Sequence, residues 1–156
     1  MRFLLAVLVC GGLACGGAPE APAPETKAAA PKPPDESRRF PKENQTAMEL
    51  VDDHLLGKDD LPGGNLATYE KDGKTYQMFL IVTKDAETAS FTMFDVKERL
   101  VDAKFAPGFG GYFGLDGDTP WFLFAKDKYL AGVVGLAQEE ADLVAREFAA
   151  RIPAAK

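Results

Sequence analysis

The spacing of apolar residues along the chain predicts three helices. Met48, Val51 and Leu55 recur at helical spacing, and Thr46 and Glu49 fit a capping box at the start of that stretch. Two later stretches repeat the helical pattern, each with one apolar stripe. We therefore predict a first helix from residue 46 to before residue 57, a second over 86–101 capped by Asp85, and a third over 138–152.

Turn signals and short apolar runs predict five strands. Residues 66–71 and 74–83 flank Asp72-Gly73, a dipeptide typical of a two-residue hairpin turn. The run Met78–Val82 is apolar at every position, which indicates a central strand covered on at least one face and partly on the other. Three further extended runs cover residues 111–115, 121–125 and 129–136.

These elements follow one another in the order α-β-β-α-β-β-β-α. Strands that are joined by tight turns must run antiparallel. Helices grouped on one face of such a sheet give a two-layer domain. We therefore expect the α+β class, with two layers, an antiparallel sheet of about five strands and the helices packed on one face.

The N-terminus has the pattern of a secretory signal peptide. Arg2 precedes an apolar run over residues 3–9, and small residues follow it. The run is too short to span a bilayer, which takes roughly 20 apolar residues. We expect residues 1–14 to be removed on export.

The sequence Leu13-Ala14-Cys15-Gly16 resembles the lipobox of bacterial lipoproteins, although Leu13 stands one position later than in the family pattern. The resemblance implies lipidation of Cys15, with a diacylglyceryl thioether and often an amide-linked acyl chain such as palmitate. Gly16 stands where an Asp would favour the inner membrane, so the resemblance implies an outer-membrane anchor facing the periplasm. Ordinary cleavage and free secretion is the alternative.

A proline-rich stretch follows the cysteine. Seven of the 11 prolines lie between residues 19 and 41, among Ala, Gly, Glu and Lys. Such a composition buries too little apolar surface to offset chain entropy, so we expect residues 15–41 to form the lipidated cysteine and a disordered tether. Residues 42–156 then form a single globular domain.

Charge and cysteine content narrow the function classes. The chain carries a net charge of −6, and the part from residue 40 onward holds 13 Lys and Arg against 20 Asp and Glu. An acidic domain lacks the basic footprint of a nucleic-acid binder. The two cysteines, Cys10 and Cys15, both lie in the N-terminal segment. The domain therefore has no disulfide and no thiolate metal site.

Candidate catalytic residues are sparse. His54 is the single histidine, and the acids around it are Asp52, Asp53, Asp59 and Asp60. A hydrolase that uses these acids is one hypothesis, whereas a histidine on the surface or partly in the core is the simpler interpretation. The acidic turn at residues 116–118 lacks the further ligands of a calcium loop. No phosphate-binding loop or nucleophile motif occurs, so we predict no enzyme, no metal and no cofactor.

Aromatic residues provide the one candidate binding surface. They lie in and after a glycine-rich loop, and they are Phe105, Phe109, Tyr112, Phe113 and Trp121. Exposed rings are costly unless a partner covers them, and Tyr and Trp are frequent in binding hot spots. The sequence predicts either a patch for a protein or apolar small molecule, or a loop that folds inward and completes the core.

A second resemblance covers residues 65–153. The helix pattern Ala89…Met93-Phe94, the run Gly111–Gly114 and the aromatic strand Trp121–Phe124 are similar to a family of exported bacterial domains of unknown function. That family often occurs as two similar halves, of which this chain would be one. The resemblance implies no catalytic residue.

Together these observations predict a periplasmic lipoprotein, anchored to the membrane by its N-terminal lipid, that acts as a non-catalytic interaction or ligand-binding module. A hydrolase and a purely structural accessory lipoprotein are the alternatives.

Overall fold

A computed structural model describes residues 31–154. Seven strands form one sheet, and two α-helices pack against it. The elements are β1 (Gln45–Asp53), β2 (Pro62–Lys71), β3 (Lys74–Val82), α1 (Ala86–Arg99), β4 (Val101–Ala106), β5 (Gly111–Asp116), β6 (Thr119–Lys126), β7 (Tyr129–Val134) and α2 (Gln138–Arg151). Short 3-10 turns cover Ser37–Arg39 and Leu55–Gly57. No helix within residues 31–154 is long and apolar enough to cross a membrane.

The strands lie in the order β1-β2-β3-β7-β6-β5-β4, and all neighbours run antiparallel. Helix α1 carries the chain from β3 in the middle of the sheet to β4 at its far edge. The predicted α+β class with an antiparallel sheet is confirmed. The sheet has seven strands, however, and the predicted element order is wrong at two places.

The two helices lie on opposite faces of the sheet. On β3, Phe79 and Ile81 pack in the apolar cluster that includes α1, whereas Met78 and Leu80 pack in the cluster that includes α2. The predicted two-layer arrangement with helices on one face is therefore wrong. The physical reason is that the central strands are apolar on both sides, so each face has to be covered.

The predicted first helix is strand β1. Thr46 does not cap a helix, since its hydroxyl donates to the carbonyl oxygen of Thr68 on β2 at 3.2 Å. Met48 and Val51 are three positions apart, which puts them on opposite faces of a strand, and each packs against a different core cluster. The three-residue spacing that indicates a helix is thus found in an edge strand, which places one partly buried apolar side chain on each face.

The predicted second helix is present but ends earlier, at Arg99, and β4 follows it directly. Its N-cap is confirmed, because the carboxylate of Asp85 accepts from the Thr88 N–H at 2.8 Å. Strand β4 was not predicted. It lies at the edge, is mostly exposed, and has a bulge where Asp102 adopts a φ of 54°.

Residues 34–41, which precede the predicted start of the domain and which we call the N-terminal segment of the domain, pack against the sheet and α2. Phe40 is fully buried, and its ring centroid lies 4.8 Å from that of Phe148 on α2. The hydroxyl of Tyr69 donates to the carbonyl oxygen of Pro41 at 2.9 Å. The predicted boundary at residue 42 therefore lies inside packed structure.

A buried amide fixes the start of this segment. Asn65 on β2 is fully buried. Its Oδ1 accepts from the Glu36 N–H, and its Nδ2 donates to the carbonyl oxygen of Pro34, each at 2.9 Å. These two bonds satisfy the buried amide and hold the incoming chain on the sheet. Cys15 and the predicted tether up to residue 30 lie outside the described residues.

Candidate functional site

The five predicted aromatic residues do not form one surface. Tyr112 and Trp121 pack in the cluster on the α1 side, whereas Phe109 and Phe113 pack in the cluster on the α2 side. Phe105 pairs with Tyr112 across β4 and β5, so the two side chains share the α1 side. The sheet separates the two groups, and a single pocket lined by Phe109, Tyr112 and Trp121 does not form.

Phe109 belongs to the core beneath α2. Its ring lies edge-on to Phe124, with centroids 4.7 Å apart, and to Phe122 at 5.5 Å. The guanidinium of Arg146 on α2 lies 5.4 Å from the centroid of the Phe109 ring. These contacts are those of a loop that folds inward, with the arginine side chain beside the Phe109 ring.

Trp121 is also a core residue. It is 2% exposed and lies 5.8 Å from Phe79, centroid to centroid. The Arg99 guanidinium lies 5.1 Å from the Trp121 ring centroid and is paired with Asp60. The indole is therefore sealed between the sheet and an ion pair, and it offers no surface to a partner.

Two of the other three predicted residues, Phe105 and Tyr112, lie in a partly exposed cluster, which we name the aromatic patch. It consists of Phe94 on α1, Phe105 on β4 and Tyr112 on β5. The Tyr112 ring centroid lies 5.9 Å from that of Phe94 and 5.5 Å from that of Phe105. Phe94 is 44% exposed and Phe105 is 55% exposed. Phe91, one helical turn before Phe94, is 59% exposed.

Phe91 and Phe94 lie on α1 but outside its buried stripe. The buried residues of α1 are Ala89, Met93 and Val96. These recur at three- and four-residue spacing, so they already define a narrow face, and the two phenylalanines point away from it. Their position on the helix was the signal that could have identified them as surface residues.

One cation lies beside the aromatic patch. The Lys97 ammonium is 5.9 Å from the Tyr112 ring centroid. It also donates to Glu98, and this hydrogen bond is the main reason that the pKa of Lys97 is raised. The patch thus has an apolar centre and a charged side chain at its rim, which is the usual composition of a protein interaction surface.

The acidic residues near His54 form an exposed group. His54 Nδ1 lies 3.4 Å from Asp53 and Nε2 lies 3.9 Å from Asp59, and all three side chains are more than half exposed. Asp60 is paired with Arg99, and Asp52 lies 4.0 Å from the Lys32 ammonium. Among residues 31–154, no group of three or more His, Cys, Asp or Glu side chains is placed to hold a metal ion.

Three cavities open on the α2 side of the sheet. One of about 280 Å³ lies between α2 and the hairpin of β2 and β3, and its lining includes Tyr76 and Val144. Two wider clefts of about 420 and 360 Å³ lie beside the loop that precedes β5, against Arg146. Neither His54 nor the acids around it line any of the three.

Comparisons with protein families, with curated proteins and with solved structures find no match to this chain. The lipobox at Cys15 and the resemblance to a family of exported domains therefore stay predictions.

Proposed function

We propose that this protein is a lipid-anchored module of the bacterial cell envelope whose folded domain binds a protein partner without catalysis. The observation that carries the proposal is the aromatic patch of Phe94, Phe105 and Tyr112. With Phe91, three phenylalanine side chains are each about half exposed on one side of the domain. They present roughly 300 Å² of aromatic surface, a size at which exposed apolar patches are often functional.

The shape of this side favours a protein over a small molecule. Small ligands bind in concave sites that enclose most of their surface. The three cavities described above lie beside α2, and Phe94 and Tyr112 line none of them, whereas Phe105 borders one at the edge of the sheet. The rings of the aromatic patch project from a helix and an edge strand, where the flat surface of another protein can cover them. An aromatic centre with a lysine at its rim suits a partner with apolar side chains and a carboxylate beside them.

The anchor part of the proposal rests on the sequence. Cys15 would carry the lipid, and the residues after it would let the domain reach partners away from the membrane. Stable anchoring takes more than one acyl chain, which the lipoprotein modification supplies. Labelled palmitate should enter the wild-type protein and not the Cys15→Ser variant. If the variant takes up label or stays in the membrane fraction like the wild type, Cys15 is not the anchor.

The partner surface can be tested by site-specific crosslinking in cells. A photo-crosslinking amino acid at position 105 should give a defined adduct with another protein. The matched control places it at position 50 on β1, where Leu50 is 44% exposed and lies at the edge of the sheet opposite β4. The Phe94→Ser substitution should remove the adduct at position 105 and leave the melting temperature nearly unchanged. Equal adducts at positions 105 and 50, or none at 105, would contradict the proposal.

A further inference from the structure

The cavity of about 280 Å³ on the α2 side has an apolar floor. Met78 from β3, Leu136 from the turn after β7, and Val144 from α2 form this floor together with the ring of Tyr76. Taking about 30 Å³ for each water molecule, the cavity holds roughly nine waters. This space suits a small organic molecule and is too small for a peptide segment.

The side chain of one tyrosine lines this cavity. Tyr76 is 8% exposed and stacks on Tyr69, with ring centroids 5.0 Å apart and an angle of 12° between the rings. The two residues are direct partners across β2 and β3, so their side chains project from the same face. The Tyr69 hydroxyl donates to the carbonyl oxygen of Pro41. The neighbouring Tyr76 hydroxyl has no hydrogen-bond partner within residues 31–154.

The Tyr76 hydroxyl is not fully enclosed, because the fully buried side-chain atoms without a partner within residues 31–154 belong to Arg99 and Asp116. The Tyr76 side chain lines the cavity, and Pro41, the acceptor for the adjacent tyrosine, lines it too. Because the Tyr76 hydroxyl is accessible and has no partner among the described residues, it is available to a molecule in the cavity. A ligand in the cavity could accept or donate a hydrogen bond there.

The walls of the cavity carry an excess of negative charge. Four acids line it, namely Glu43, Asp72, Glu140 and Glu147, against two bases, Lys71 and Lys74. The Lys74 ammonium lies 2.8 Å from a carboxylate oxygen of Glu140, so this pair cancels within the wall. Glu147 also contacts Arg151 at 3.1 Å, on the side of α2. Glu43 has no ion-pair partner among the described residues.

The negative field extends to the tyrosine. Burial is the main cause that raises the pKa of Tyr76, and the charges of Glu147 and Glu43 raise it further. The two carboxylates that disfavour a negative charge on Tyr76 would attract a cation in the cavity. The Tyr76 ring beside it could add a cation–π contact.

We propose that this cavity binds a small amphipathic organic cation, whose ammonium group lies near Tyr76, Glu43 and Glu147 and whose hydrocarbon part covers Met78, Leu136 and Val144. The site lies on the face of the sheet opposite the aromatic patch, so it is independent of the proposed protein partner. Recognition would combine charge attraction at one end with apolar burial at the other.

Three probes of equal chain length test the charge requirement. Hexylamine, hexanol and hexanoate are titrated into the full chain carrying Cys15→Ser, which removes the predicted lipid site and leaves residues 31–154 unchanged. Binding is followed by calorimetry and by NMR shifts of the side chains that line the cavity. We expect hexylamine to bind at least about tenfold more tightly than hexanoate, with hexanol between them, and its advantage to shrink as salt is added.

Variants locate the site. Glu43→Gln should weaken hexylamine binding severalfold and leave hexanol binding unchanged, because it removes one charge and little volume. Tyr76→Phe should weaken hexylamine binding while keeping the stacked ring. Glu139→Gln is the matched control, since Glu139 lies in the first turn of α2 but does not line this cavity.

Equal binding of the three probes would overturn the proposal, as would the absence of saturable hexylamine binding. An effect of Glu139→Gln equal to that of Glu43→Gln would also overturn it, because a general surface charge effect would then explain the preference. Glu43 is exposed, so its variant is expected to fold even if Tyr76→Phe does not.

Discussion

The role of residues 34–41 as part of the folded domain leads to a quantitative prediction. Phe40 is fully buried against Phe148, although it precedes the first strand and lies in the stretch whose composition predicts a tether. The Phe40→Ala substitution should therefore destabilise the domain as a core substitution does. If the segment contributed nothing to the stability of the domain, the same substitution would leave the free energy of unfolding unchanged.

The magnitude follows from the burial. An aromatic side chain buries about 150–250 Å², which at about 25 cal/mol per Å² corresponds to roughly 4–6 kcal/mol. Measured Phe→Ala substitutions in cores cost about 3–5 kcal/mol, since neighbours relax partly into the space. For a domain of this size, about 1 kcal/mol shifts the melting temperature by roughly 3–5 °C. We expect Phe40→Ala to lower it by about 10–20 °C.

The assay is urea or thermal unfolding followed by tryptophan fluorescence. Trp121 is the single tryptophan and is 2% exposed, in the cluster on the other side of the sheet from Phe40. It therefore reports loss of the whole fold and not a local change at residue 40. The matched control is Phe91→Ala, the same chemical change at an exposed position, which should cost at most about 0.5 kcal/mol.

Two results would refute this reasoning. One is a Phe40→Ala variant that unfolds within about 1 kcal/mol of the wild type, since this is well below the cost of truncating a core aromatic. The other is a chain beginning at residue 42 that melts at the same temperature as a chain beginning at residue 34. Either result would show that the packing of the N-terminal segment adds nothing to stability.

Three further predictions concern single contacts. Lys126→Met should cost about 1–3 kcal/mol in urea unfolding, because its ammonium donates to two carbonyl oxygens at the end of α2, each at 2.7 Å. Gly132→Ala should cost at least about 1–3 kcal/mol in the same assay, since its Cβ would overlap the buried ring of Phe79. Asp85→Ala should lower the melting temperature at pH 7, and the difference should vanish as the pH falls below about 3.8, because hydrogen bonds from Thr88 hold the pKa of Asp85 below that ordinary value and the stabilisation is lost as the folded carboxylate is protonated. A difference that stays constant as the pH is lowered from 7 through the acid range would contradict the role of the Asp85 carboxylate.

Local signals in the sequence predict much of this fold. The turn at Asp72-Gly73 joins β2 and β3 as expected, and both residues have the positive φ values that such a turn needs. The Asp85 cap, the two long helices and the runs that became β5, β6 and β7 are also present. In each of these cases a few adjacent residues determine the conformation, so no information about distant contacts is required.

The edge strands could not be predicted in this way. An edge strand is paired on one side only, so it carries fewer buried side chains and a weaker alternation. On β1 this leaves Met48 and Val51, whose three-residue spacing also fits a helix, and pairing with β2 decides the conformation. Strand β4 is mostly exposed and bulged at Asp102, and its sequence gives no regular pattern.

Whether the predicted aromatic residues form one binding surface depends on the face of the sheet to which each ring points. Tyr112 and Phe113 are adjacent on β5, so their side chains must point to opposite faces, and this part was available from the sequence. The position of Phe109 could not be predicted from the sequence, because a glycine-rich loop can fold towards either face of the sheet. The cavity at Tyr76 was also hidden, since β2, β3, α2 and the N-terminal segment meet there only in the folded chain.

The place of β7 in the sheet has a consequence for how the domain folds. Strand β7 lies between β3 and β6, with Gln77 paired to Val134 across a long interval of sequence. The edge of β3 thus stays open until nearly the whole chain is present, whereas β1, β2 and β3 can join early as a meander. Closing such distant pairs is slow, and open edges can associate with other chains in the meantime. Chains truncated before residue 129 should therefore aggregate, and completion of the sheet by the last strand should set the folding rate.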